Sequence, residues 1–295
     1  MLLAVLHGAG IRAGERVGVN IRSRYFGQTA QQVVADYFAW LRKTRALAIA
    51  AAVVLGVAAI VFVFIGSMAA YFVCLAAILV IAWLLRSKIG RRFRSLLDIL
   101  GSDCDAEKYR EVIEGIAQRD VKQRSKGTCL TELALAHYHA GRPIDALQLL
   151  SQVSFRSPKN ILWIRTFNVE AIARNAVGDI AGRDVALGRI AAFREGASVN
   201  SPKRAVVDDI LLGLNVQFRA PEQWGPADLD YMRKSAATAD SRLTWVSWGI
   251  CEAEYLIVHG SVQEAAALLD KLSEGPVTPR AAANIERLRA GMHAG

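Results

Sequence analysis

The chain has 295 residues, 53 % of them apolar, and a mean hydropathy of +0.24, high for a soluble protein and enough length for roughly two domains. Its formal charge of +9 points to nucleic acid only until it is located. Residues 1–45 carry Arg12, Arg16, Arg22, Arg24, Arg42, Lys43 and Arg45 against Glu15 and Asp36, residues 86–94 carry Arg86, Lys88, Arg91, Arg92 and Arg94 with no acid, and residues 95–295 are close to neutral, which excludes a broad nucleic-acid footprint on the larger part of the chain.

In chain order, residues 1–28 are glycine-rich and follow no sustained period. The start, MLLAVLHGAG, is too short an apolar run to serve as a signal peptide and has no basic n-region. Gly8, Gly10 and Gly14 are spaced loosely as in a dinucleotide loop, but nothing supplies the surrounding βαβ unit and acidic residue that such a loop needs. Thr29 to Gln32 then forms a capping box. It opens a helix through Leu41 on which Val33, Val34, Tyr37, Phe38 and Leu41 share a face, an amphipathic segment suited to headgroup depth. Residues 1–45 are therefore a basic N-terminal segment leading to the membrane.

Residues 46–85 contain no charged side chain. Forty helical residues stretch about 60 Å, roughly twice a hydrocarbon core, so the run divides into two spans, 46–65 and 68–85, turning at Gly66 and Ser67. Basic residues beside membrane-spanning ends stay in the cytoplasm. With Arg42, Lys43 and Arg45 on one side and residues 86–94 on the other, both termini are expected in the cytoplasm, with the flanks touching anionic headgroups at about 1 kcal/mol per charge. The compact architecture suggests a bacterial inner membrane. Within the spans, Ala48, Ala52 and Gly56, and Ala70, Cys74 and Ala77, place small residues at helical spacing. Such faces let helix backbones approach closely, inside the hairpin or in a homo-dimer.

Residues 95–295 read as helical throughout. Breaks fall at Gly101, Gly141, Ser157–Pro158, Gly178, Ser201–Pro202, Gly225–Pro226, Gly260 and Thr278–Pro279. Serine or threonine before proline is a helix start, and Ser261 to Glu264 is a second capping box. Residues 127–160, with Leu133–Ala134, Gly141, Ala146, Leu150 and Pro158, resemble one 34-residue tetratricopeptide repeat. His137 stands where that family usually has a large aromatic, and Tyr138 is one residue late. Residues 246–279 give a second match through Ala253, Gly260, Ala265, Leu269 and Leu272, starting 119 residues after the first, three and a half repeats on. The register is thus broken between them, around Gly178 and Trp224, while residues 96–117 resemble a partial unit. A generic α-solenoid or helical bundle accounts for the same periodicity.

The resemblance implies an all-α array of helical hairpins following the membrane hairpin, with a concave groove that binds peptide segments. Its wall falls on Thr131, Glu132, Leu135, Tyr138 and His139, and on Ile250, Cys251, Glu254 and Ile257. Leu135 and Ile257 serve equally as packing between repeats, and Tyr138, Glu132 and His139 are the groups expected to stay wet. Chemistry is otherwise sparse. The cysteines Cys74, Cys104, Cys129 and Cys251 include no CxxC and suit a reducing cytoplasm. His137 and His139, two apart on a helix, face different ways and make a poor metal pair. Asp208–Asp209 and Asp228/Asp230 read as solvated positions or caps. No catalytic constellation, metal site or cofactor is expected. The sequence points to a non-enzymatic, membrane-anchored adaptor with a protein or peptide partner. The rival is an accessory subunit that assembles through its spans.

Overall fold

The computed structural model describes residues 22–120, 125–158 and 160–294, and every regular element among them is a helix. The glycines at positions 8, 10 and 14 lie outside the described residues. Two compact units divide the chain: Gln28–Leu97, and Asp98–Gly295 together with the residues before Gln28.

The first unit is a helical hairpin. Helix α1 (Ala30–Phe64) opens on the expected capping box: the Gln32 amide donates to Thr29 Oγ1 (3.2 Å), and the Thr29 amide donates to Gln32 Oε1 (2.8 Å). The amphipathic segment and the first apolar span are one continuous helix of 35 residues, because nothing between Leu41 and Ala46 breaks it. The chain reverses through Gly66, whose φ of +78° only glycine adopts freely. Helix α2 (Met68–Arg94) returns and continues through the basic flank, ending in Arg91, Arg92 and Arg94, where positive charge complements the helix dipole. Both helices are long and apolar enough to cross a membrane.

The second unit is built of packed helical hairpins: α3 (Leu97–Gly101), α4 (Ala106–Arg119), α5 (Lys126–His139), α6 (Pro143–Leu150), α7 (Leu162–Ala176), α8 (Ile180–Glu195), α9 (Pro202–Phe218), α10 (Pro226–Ala237), α11 (Arg242–Val258), α12 (Val262–Ser273) and α13 (Pro279–Ala294). Gly141, Gly178 and Gly260 end α5, α7 and α11 in the left-handed region, with φ between +77° and +82°, which frees the chain to turn back at once. Proline opens α6, α9 and α10 at the position that needs no amide donor. Two local expectations fail. No helix begins at Ser157–Pro158, since α7 starts at Leu162. Ser261 precedes α12 without a side-chain cap, and Glu264 instead accepts from Arg233 on α10 (3.0 Å).

Packing largely follows chain order, with α5 also meeting α7 and α7 also meeting α9. Helix α10 packs on α11, and the loop between α9 and α10 is pinned by buried Trp224, whose indole donates to the Val216 carbonyl (2.8 Å). Helix α13 packs on α11 and α12 through Ala281, Ile285 and Leu288, and also reaches α5. Small residues set the crossings: Ala134, Ala146 and Ala173 are fully buried in one cluster of α5, α6 and α7, because close helix approach leaves room for little else.

Packing is tight at Gly127, where an added Cβ meets the Ser154 carbonyl at 2.7 Å and the Phe155 ring at 2.8 Å, whereas Gly188 on α8 faces open space. Gly127→Ala is expected to destabilise this unit by about 1–3 kcal/mol through overpacking. Gly188→Ala should stabilise it by about 0.5–1 kcal/mol through helix propensity. Thermal unfolding followed by circular dichroism reads both.

Candidate functional site

The helical unit contains a half-open cavity of about 360 Å³, within the size range of ligand sites. Its walls come from α5, α7, α9, α11 and α13. Helices α5, α7 and α11 each lead a packed pair, and α13 packs across α11 and α5.

The sequence-predicted groove residues divide into two groups. Leu135, Tyr138 and His139 on α5, and Ile250, Cys251 and Glu254 on α11, line the cavity. Thr131 and Glu132 do not line it. They are buried, at 2 % and 4 % exposure, so the expectation that Glu132 stays wet is corrected. Its carboxylate accepts from Arg165 Nη2 (2.6 Å) and from the Tyr109 hydroxyl (2.9 Å), tying α5 to both α7 and α4. Thr131 Oγ1 sits 2.9 Å from Thr166 Oγ1 on α7. Ile257 packs into the core around α11 to α13.

Sequence reasoning missed most of the cavity wall. Arg165, Asn168, Gln217, Ser247, Arg280 and Asn284 all face it, yet they are polar residues in helices that show no motif, gathered by long-range packing. Arg280 on α13 places its guanidinium 4.3 Å from the Tyr138 ring centre, a cation–π contact. Arg287 donates to Glu254 (3.0 Å). Burial, with smaller contributions in the same direction from Arg280 and Arg165, lowers the His139 pKa to about 3, so the ring is neutral at pH 7. Burial likewise raises the Cys251 thiol to about 12, with Glu254 adding to the shift. A thiol so protonated is a poor nucleophile.

Elsewhere, His137 points away from the cavity toward Asp145 (3.5 Å). Asp208 pairs with Arg194, and Asp228 caps the Gly225 amide (2.9 Å) while accepting from Arg219 (2.7 Å). No cluster of three or more His, Cys, Asp or Glu suited to a metal occurs among the described residues. In the hairpin, Arg42, Lys43, Arg45, Arg86, Lys88, Arg91 and Arg94 are exposed, and Arg92 lies over the Trp40 ring (5.8 Å). Cys74 is buried, and Ala48, Ala52, Ala70 and Ala77 are half-buried, as is Gly56, beside which a Cβ meets no atom within 4 Å. No known protein family matches the chain, and no curated protein or solved structure is significantly similar to it.

The Glu132–Arg165 pair is the electrostatic tie beneath the cavity. Losing one member leaves a buried charge unmatched, so Glu132→Leu is expected to destabilise the unit by about 3–5 kcal/mol. The double variant Glu132→Leu/Arg165→Met should be more stable than that single variant. Chemical denaturation of the three proteins reads the difference.

Proposed function

We propose that this chain is a membrane-tethered, non-enzymatic adaptor whose helical unit holds a segment of a protein partner in the cavity at the cytoplasmic face. The observation that carries the reading is the cavity itself, walled by α5, α7, α9, α11 and α13 and lined by unspent polar groups beside aromatic ones. Asn168, Gln217 and Asn284 present carboxamides that can both donate to and accept from a peptide backbone. Tyr138 and Phe218 supply apolar surface. The hairpin order of the helices and the resemblance of residues 127–160 and 246–279 to tetratricopeptide repeats favour a peptide-binding solenoid over a plain bundle.

Membrane insertion is supported by where the apolar side chains point. Only 6 % of the most apolar stretch of each hairpin helix is buried, whereas the core helix of a soluble protein hides such a face. Phe64 and Trp83 are 87 % and 68 % exposed. In a bilayer this surface costs nothing, and the exposed cations at both outer ends favour a cytoplasmic position for both termini. Tethering then raises the local concentration of a bound partner near the membrane without any new contact.

A photo-crosslinking residue placed at Gln217, inside the cavity, is expected to trap a discrete partner in the native membrane. The same residue at exposed Val199 should not. Equal products from both positions, or none from Gln217, contradict the groove assignment.

One observation favours assembly through the hairpin as a second reading. The position beside Gly56 is open within the chain, so that face is free to receive a helix of another subunit. Gly56→Leu then leaves the monomer's fold intact and abolishes assembly, as read by native gels and by thermal unfolding of the helical unit. Unchanged assembly removes this reading.

A further inference from the structure

The helices around the cavity form a circuit, from α5 through α7, α9, α11 and α13 and back to α5. Its joins differ in kind. Helices α5 and α7 share the buried Glu132–Arg165 pair and the apolar cluster of Ala134, Val169 and Ala173. Helices α7 and α9 share Ile164, Val207, Ile210 and Leu214, and α9 meets α11 in the cluster that holds Val216 and Trp248. Helix α13 is seated on α11 and α12 by Ala281, Ile285 and Leu288.

The join between α13 and α5 is polar and aromatic. Tyr138 packs with the cluster of α5, α6 and α7, and half-buried Arg280 reaches it from α13. The guanidinium lies 4.3 Å from the ring centre and donates to the hydroxyl. Breaking a buried ion pair shifts an opening equilibrium by on the order of a hundredfold or more. A cation–π contact of a partly exposed arginine is worth roughly two- to thirtyfold. The circuit is therefore weakest where α13 meets α5. Size supplies a second observation. The cavity, at about 360 Å³, stands near the lower end of ligand sites, whereas a bound protein segment has several residues to house.

We propose that the α5–α13 join is a gate, latched by Arg280 on Tyr138, through which α11, α12 and α13 move away from α5, α6 and α7 to admit the segment. The inference rests on the groove reading and adds the motion by which its ligand enters. Helix α13 moves with α11 and α12 because it shares their core, so the gate parts without uncovering Ala281, Ile285 or Leu288. The remaining joins slide without separating. A segment that prefers the open form draws the equilibrium toward it, and weakening the latch speeds entry by raising the open fraction.

The test uses the full-length protein without its native cysteines, in phosphatidylcholine nanodiscs, with spin labels at exposed Gln148 on α6 and Lys271 on α12. Dipolar distance measurement is expected to give one dominant separation when Arg280 is kept. In Arg280→Gln the share of a longer separation should rise about two- to thirtyfold, with Arg280→Lys between the two. Peptides selected from a random linear library on the protein with Arg280 kept should move its own label pair to the longer separation, a comparison that needs no variant. The same peptides should associate faster with Arg280→Gln by a similar factor. Equal distance distributions with and without Arg280, or selected peptides that bind and leave the separation unchanged, overturn the gate. So does an association rate with Arg280→Gln that fails to rise. A library that yields no binder removes the groove reading, and the separations measured without peptide still decide the gate.

Discussion

Helices α1 and α2 complete their own backbone hydrogen bonds and pack along each other, which leaves most of their apolar side chains turned outward. In water, uncovered surface of that kind costs about 25 cal/mol for every Å². In a hydrocarbon phase it costs nothing, and an α-helix is one of the few structures that can enter such a phase, since no backbone group is left unsatisfied. The proposed account of the molecule depends on this constraint. It explains why the cations gather at the outer ends of the hairpin, why the turn at Gly66 and Ser67 carries none, and why the helical unit is nearly neutral.

The helical unit solves a different problem. Its cavity needs walls that hold polar groups in place without filling the space between them. Fully buried alanines at the crossings of α5, α6 and α7 let backbones approach closely. The Glu132 carboxylate, shared between Arg165 and Tyr109, then locks α7 and α4 to α5. A buried pair of this kind adds little net stability, because desolvation offsets the attraction. Its structural consequence is positional: it spends one end of the Arg165 fork below the cavity.

Local rules were legible in the sequence wherever a few neighbouring residues decide the outcome. The Thr29 capping box, the reversal at Gly66, the helix ends at Gly141, Gly178 and Gly260 and the starts at Pro202 and Pro226 all lie where expected. Local reading failed where a distant partner competes. Glu264 looked like the second half of a capping box, but Arg233 on another helix claims its carboxylate. Glu132 looked like a wet groove residue because its position on α5 suits one, and only Arg165, 33 residues on, makes it a buried anion. Tyr138, His139, Cys251 and Glu254 face the cavity because helical spacing alone fixes their side of α5 and α11. Arg280 was invisible because its role depends on α13 reaching α5, a contact that no periodicity encodes.

The central claim is that the apolar hairpin crosses the membrane twice and leaves the helical unit on the cytoplasmic side. Single cysteines at Ser67 and at Asp230, in a background without the four native cysteines, test it with a membrane-impermeant maleimide on intact cells. The account predicts that the Ser67 position labels from outside and the Asp230 position labels only after permeabilisation. Labelling of Asp230 in intact cells, or release of the protein from membranes by alkaline carbonate, contradicts it.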